Sequence, residues 1–153
     1  MCRRLRASLL LLACLPLCPA GAEAPAAGRP DRVEVKASWT SIYVGTVTLK
    51  MPTFGRNAAG DFESTYTARV FPYFFYNETG RIRIRVSDED LQRLARGDAI
   101  EFTGLAVNQQ SEERRVAGKA TPTDATQGKI KVRVTVSPRV ELIFNTTYLF
   151  PPK

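Results

Sequence analysis

Apolar and polar residues alternate along most of the chain after residue 32. In the first such stretch, apolar residues occupy every second position: Val33, Val35, Ala37 and Trp39. A two-residue period is typical of a β-strand with one buried face, so these four side chains are predicted to share a face. The same pattern predicts seven further strands, over 42–51, 61–71, 81–86, 99–107, 113–120, 129–137 and 139–149.

Short polar or glycine-containing segments separate the predicted strands. They lie at 57–60, 77–80, 108–111 and 126–128. Connections of this length join neighbouring antiparallel strands, whereas parallel strands need a crossover of a dozen or more residues. The spacing therefore predicts a mainly antiparallel, all-β fold of about eight strands, either a barrel or a two-layer sandwich.

One segment, residues 88–96, departs from the two-residue period. Ser87 can cap a helix, the acidic residues after it favour the first turn, and Gly97 is typical of a helix end. Leu91 and Leu94 are three residues apart, which places both on one helical face. The sequence therefore predicts a short helix over 88–96 that crosses one end of the β-structure.

The N-terminal residues have the pattern of a secretory signal peptide. Three arginines precede a short apolar run, and a run of small residues then offers a cleavage site. We expect a signal peptide over 1–22, a flexible lead-in over 23–31 and a single β-rich domain over 32–150. The expected location is the periplasm or the extracellular space. Cys14 follows Leu-Leu-Ala and offers the alternative of a lipid-anchored N-terminus.

Cysteine and histidine usage limits the chemistry of the mature chain. All three cysteines fall in 1–22, and the chain has no histidine. This excludes disulfides, zinc sites of the usual kind and catalysis through these residue types. We expect a protein that is not an enzyme and that uses no metal or cofactor. Removing the three signal arginines lowers the net charge from +7 to +4, which suits an anionic partner or ordinary solubility.

Two predicted strands each carry a row of three cations on one face. The rows are Arg81, Arg83 and Arg85 in one strand, and Lys129, Lys131 and Arg133 in the other. If the rows share a face, they form a surface suited to phosphate, lipid headgroups or acidic glycans. The alternative is a solvated sheet face on which each cation pairs with a cross-strand glutamate. Export and the absence of a recognition motif argue against nucleic acid as a partner.

Aromatic residues cluster next to a predicted turn. After Phe71 and a proline come Tyr73, Phe74, Phe75 and Tyr76. Consecutive aromatic residues in a strand point to both faces, so one or two of them leave a one-sided core and can stack on a sugar or an apolar ligand. The alternatives are that the segment is buried on both sides, or that the tyrosines place their hydroxyls at the rim of the core.

Five carboxylates are candidates for a hydrolase that works through paired acids: Glu34, Asp61, Glu63, Glu101 and Glu141. Such chemistry needs two carboxyl groups about 5–10 Å apart, one of them with a raised pKa. Most of the five fall at outward strand positions or in turns, where solvation explains them. The hydrolase is therefore the remotest hypothesis.

The leading hypothesis is an exported, non-catalytic binding module of the cell envelope. Its ligand would be a lipid, a glycan or another anionic or apolar molecule, held by the cationic rows and the aromatic cluster. The second hypothesis is a structural or assembly component that pairs with another envelope protein through an edge strand or an exposed aromatic patch. A lined internal cavity would favour the first, and a filled core would favour the second.

Overall fold

Antiparallel β-strands dominate residues 29–152, the part of the chain that this computed structural model describes. The predicted signal peptide, Cys14 and most of the predicted lead-in lie outside the described residues. The elements are β1 Arg32–Val35, β2 Ser38–Ile42, β3 Gly45–Lys50, β4 Phe54–Arg56, β5 Phe62–Phe71, β6 Glu78–Arg85, α1 Asp88–Ala95, β7 Ile100–Asn108, β8 Glu113–Pro122, β9 Gln127–Ser137 and β10 Val140–Leu149. A short 3-10 helix, Phe74–Tyr76, lies between β5 and β6.

Eight of these strands close into an antiparallel barrel. Their order around the barrel is β1, β10, β9, β8, β7, β6, β5 and β4, and β4 pairs back onto β1. The β2–β3 hairpin extends the wall, because β3 pairs with the later half of β5. The structure therefore confirms the predicted antiparallel all-β fold with one short helix, and of the two architectures it has the barrel.

The barrel wall bends where β1 gives way to β2 and where β3 gives way to β4. Residues 36–37 separate β1 from β2, and residues 51–53 separate β3 from β4. By the register of the flanking strand pairs, the two breaks overlap across the ladder. Pro52 has no N–H to donate, so it cannot continue a strand at this point. Because of the second interruption, the predicted strand over 42–51 is followed by a separate three-residue strand, β4, which the sequence pattern missed.

The first bend overturns the prediction that Trp39 shares a face with Val33. Val33 packs against the core, but two exposed residues, Lys36 and Ala37, follow in succession. The alternation therefore shifts by one residue, and such a slip moves every later side chain to the other face. Ser38 is consequently buried, and Trp39 points to solvent with 67% of its surface exposed.

Inward side chains from all strands form one apolar core. Phe144 is its most deeply buried large side chain, with 1% of its surface exposed. Two inward glycines leave room for aromatic rings. A Cβ on Gly118 would lie 2.2 Å from the Phe102 ring, and a Cβ on Gly80 would lie 2.7 Å from the Tyr66 ring. Neither glycine can be replaced without moving its ring, because both distances are below van der Waals contact.

The helix α1 lies against one end of the barrel, as predicted. The Ser87 hydroxyl accepts a hydrogen bond from the Asp90 N–H at 3.0 Å and so caps the helix N-terminus. Gly97 follows the last turn with a φ of 97°, a conformation that favours glycine. Leu91 and Leu94 are buried against the barrel. The helix ends one residue earlier than the sequence predicts.

The two ends of the barrel differ. One, the helix end, carries α1, the β4–β5 turn and the β8–β9 turn. The other, the hairpin end, carries the β2–β3 turn, residues 72–77, the β7–β8 turn and the β9–β10 turn. Because the strands run up and down in sequence, successive connections alternate between these two ends.

Candidate functional site

An apolar cavity of about 80 Å³ lies inside the barrel at the helix end. All eight barrel strands and α1 contribute to its lining, which includes Phe54, Ile84, Phe102 and Val132. No charged side chain lines it, and the one hydroxyl is that of Tyr148, whose pKa is raised by burial. Water needs several polar partners to occupy such a space, so this lining favours an apolar occupant.

The size of the cavity limits what it can hold. Pockets for drug-sized molecules usually measure about 300–1,000 Å³. A space of about 80 Å³ is therefore suited to a small apolar molecule or to the end of an alkyl chain. Five of the lining residues are only partly buried and form its rim: Val33, Val35, Val86, Ile130 and Phe150.

An ion pair fastens the start of α1 to the barrel wall beside this cavity. Arg56 Nη2 of β4 lies 2.5 Å from Asp88 Oδ1, and Arg29 Nη2 lies 2.5 Å from Asp88 Oδ2. The Arg56 side chain is nearly buried, donates through Nε to the Gly60 carbonyl and lies 5.5 Å from the Phe62 ring centroid. The hydrogen bond from Arg56 lowers the pKa of Asp88 below its usual value of 3.8.

Neutralising Asp88 should loosen this attachment. Because the folded-state pKa is depressed, the ion pair stabilises the fold above pH 3.8 and is lost as the pH falls through the lowered value. Asp88→Asn should therefore melt at a lower temperature than the wild type near neutral pH, and the two curves should converge in acid. Thermal unfolding followed by circular dichroism from about pH 7 to about pH 2 measures the difference.

Glu89→Gln is the matched control, since Glu89 is the next helix residue and is exposed. Its melting temperature should follow that of the wild type at every pH. A constant gap between Asp88→Asn and the wild type down to the lowest pH would contradict the role of the ion pair.

The interior at the hairpin end is polar. Tyr66 donates its hydroxyl to Glu78 Oε1. Arg114 Nη2 lies 3.2 Å from Glu78 Oε2 and 2.5 Å from Glu112 Oε2. Asn108 Nδ2 donates to the same two glutamates, at 3.2 Å and 2.8 Å. These five residues form a continuous network, which we call the polar plug.

The polar plug gives the barrel interior two zones. Burial and the hydrogen bond to Glu78 raise the pKa of Tyr66, so its hydroxyl stays protonated and remains a donor. Hydrogen bonds from Asn108 and Arg114 lower the pKa of Glu112, which stays ionised. The interior is therefore ion-paired and hydrogen-bonded at the hairpin end and apolar at the helix end.

The predicted row on β6 is partly neutralised by two acids, one on the neighbouring strand β5 and one in the β4–β5 turn. Arg83 Nε lies 2.6 Å from Glu63 Oε1, and Arg85 lies 3.9 Å from Asp61. Hydrogen bonds from Asn57 and Arg83 lower the pKa of Glu63. Arg81 faces Thr65 and Val107 and forms no ion pair with residues 29–152.

The predicted row on β9 is less neutralised. Arg133 lies 3.9 Å from Glu141, but Lys131 stands directly opposite Lys119 of β8, and Lys129 stands opposite a threonine. Both rows face outward on one barrel, with β7 and β8 between them. The two rows are thus not adjacent. Some of their cations lack the cross-strand glutamate that is expected if each row is simply a solvated sheet face. Anion binding by these rows stays a prediction.

The aromatic cluster is exposed, so the interpretation that buries it on both sides is wrong. Phe74, Phe75 and Tyr76 each expose 67–75% of their surface, and Tyr73 exposes 36%. The rings pack on one another, with Phe75 and Tyr76 centroids 4.6 Å apart. The Asn77 side chain holds the segment by accepting from the Val70 N–H at 2.8 Å. No residue of the cluster lines the cavity.

The five candidate carboxylates do not line the cavity either. They are spread over the outer wall and the β4–β5 turn, and three of them form the ion pairs with arginines described above.

Within residues 29–152, no group of three or more acidic side chains is placed to hold a metal ion. No helix in the same range is both long and apolar enough to cross a membrane.

Sequence reasoning missed the polar plug, although one signal was available. Arg114 and Arg115 are consecutive in a predicted strand, and consecutive residues face opposite sides. One arginine therefore had to enter the barrel, where a charge needs a partner. The structure places Arg114 inside with Glu78, whose position at a predicted turn gave no indication of burial.

Fold and interior together define an eight-stranded up-and-down β-barrel with an apolar lumen, closed by ion-paired residues at one end and a short helix at the other. No family model, no curated protein and no solved structure matches this chain.

Proposed function

We propose that this protein is an exported, non-catalytic binding module that takes a small apolar molecule, or the end of an alkyl chain, into the barrel at the helix end. The observation that carries the proposal is the cavity, which has an apolar lining inside an otherwise well-packed core. A filled core would have favoured the assembly component instead.

The physical basis of binding would be the transfer of apolar surface out of water. Each buried methylene contributes about 0.8 kcal/mol, and a ligand in the lumen would meet no charged group that requires solvation. The polar plug would supply no contact to it, since the plug residues do not line the cavity. Specificity would come from the length and width of the apolar part.

A variant that fills the cavity should weaken or abolish binding. Ala120 lines the lumen and is 4% exposed, so Ala120→Leu places three extra carbons in the space that a ligand needs. Titration calorimetry with 1-octanol should show roughly tenfold weaker binding or none, because excluding two methylenes costs about 1.6 kcal/mol. The wild type should bind with a negative heat-capacity change.

The matched control is Ala117→Leu, on the same strand but exposed on the outer wall. It should bind 1-octanol like the wild type. Val116→Ile adds a single methylene to the lining, and it is the alternative cavity-filling variant if Ala120→Leu does not fold. Equal affinity of the wild type, Ala120→Leu and Ala117→Leu for 1-octanol would contradict the proposal.

A further inference from the structure

Exposed apolar side chains are concentrated at the hairpin end, away from the lumen. They come from the β2–β3 hairpin and from the connection between β5 and β6, which β3–β5 pairing places side by side. We call them the aromatic tip: Trp39, Tyr43, Val44, Phe71, Tyr73, Phe74, Phe75 and Tyr76. Apart from Tyr73, every member exposes at least 64% of its surface.

The aromatic tip projects from the barrel. Tyr43 stands at the turn of the β2–β3 hairpin and is fully exposed. Phe74 and Phe75 stand on the short 3-10 helix, where their rings contact each other and not the barrel core. A projecting surface of this kind suits insertion into a deformable partner better than it suits enclosing a small ligand, for which concave sites are the rule.

Within the two chain segments that form the aromatic tip, every charged side chain is positive. Residues 37–53 and 64–77 contain no Asp or Glu, and their only charged side chains are Lys50 and Arg69. Both cations are exposed on the outer face, and neither forms an ion pair with residues 29–152. The carboxylates nearest along the chain, Glu63 and Glu78, pair with other arginines.

We propose that the aromatic tip inserts into the headgroup region of an anionic lipid bilayer. Trp, Tyr and Phe favour this region, because their rings are apolar while the tyrosine hydroxyl and the indole N–H can stay hydrated. Arg69 lies level with Trp39 in the ladder and Lys50 lies two residues further from the β2–β3 turn, where both cations can meet lipid phosphates behind the inserted rings. The two segments themselves carry no carboxylate, and Glu112 and Glu113, acidic residues at the same end of the barrel, belong to the β7–β8 turn and the start of β8.

The chain carries its own reporter for this proposal. Its one tryptophan, Trp39, belongs to the tip. Adding vesicles of equal parts phosphatidylglycerol and phosphatidylcholine should shift the Trp39 emission to shorter wavelength, and lipids brominated near the headgroup should quench it. Pure phosphatidylcholine vesicles should bind more weakly, by about thirtyfold, since two cations then lose their anionic partners.

Two pairs of variants locate the binding surface. Phe74→Ser with Phe75→Ser should weaken partitioning by at least about tenfold. Its control, Leu105→Ser with Ile143→Ser, removes exposed apolar residues from the outer wall and should leave partitioning unchanged. Lys50→Gln with Arg69→Gln should weaken binding to anionic vesicles, whereas Lys129→Gln with Lys131→Gln should not.

The outcomes separate this proposal from its rivals and from a ligand in the lumen. Ala120→Leu, which fills the lumen, should bind vesicles like the wild type. An unchanged Trp39 spectrum with anionic vesicles would overturn the proposal and leave the tip as a surface for a protein partner. Loss of binding in the Lys129–Lys131 variant but not in the Phe74–Phe75 variant would overturn it in favour of the cationic rows.

Discussion

Truncating Phe144 to alanine should lower the free energy of unfolding by about 3–5 kcal/mol, the range for a large aromatic side chain removed from a packed core. Phe144 is 1% exposed and faces Val132, which lines the cavity. The truncation should therefore leave a void beside the existing lumen. Denaturant unfolding monitored by circular dichroism measures the loss.

The same variant should be rescued by an apolar ligand. If the new void joins the lumen, 1-octanol should raise the melting temperature of Phe144→Ala more than that of the wild type, because ligand binding to the folded state adds stability. Asn145→Ala, at the next and exposed position of β10, should unfold like the wild type. A loss below about 1 kcal/mol for Phe144→Ala would show that the barrel interior is not packed as described.

Replacing Arg114 with leucine should lower the free energy of unfolding by about 2–3 kcal/mol, because it leaves two glutamates of the polar plug without their cation. Leaving Glu78 unpaired would cost more free energy than leaving Glu112 unpaired, since the Glu78 side chain is 20% exposed against 56% for Glu112. Chemical denaturation near neutral pH measures the effect.

The neighbouring residue offers a close control. Arg115→Leu removes an exposed arginine at the next position of the same strand and should change stability by less than about 0.5 kcal/mol. Combining Arg114→Leu with Glu78→Gln should cost less than the two single losses added together, since the second change removes an already unpaired charge. Additive losses would show that Arg114 and Glu78 act independently.

Much of the strand pattern is predictable because a closed barrel buries one face of every strand in its interior. From β5 to β10 the alternation of buried and exposed residues places the boundaries within three residues of those predicted. The same alternation failed at 36–37, since nothing in the composition of this stretch reveals an extra residue that reverses the faces. For that reason the alternation predicts Trp39 on the same face as Val33, whereas the structure exposes it.

The candidate site was less predictable than the fold. Its lining consists of apolar residues whose types also fit a completely filled core, and one of them, Phe54, lies on the strand β4 that the pattern missed, so the sequence does not reveal the space between them. The polar plug depends on four separate elements brought together by closure. The aromatic cluster was found in the sequence, but its exposure follows from the end of β5 at Phe71, beyond which the chain leaves the sheet.

Contacts between 1-octanol and the lumen would decide whether the cavity is the binding site. Nuclear Overhauser effects between 1-octanol and the methyl groups of the protein report which side chains lie beside the bound chain. We expect effects to Ile82, Leu91 and Val132, which line the cavity. Effects confined to Leu105 and Ile143, whose methyl groups lie on the outer wall, would contradict this expectation, as would no effect at saturating alcohol.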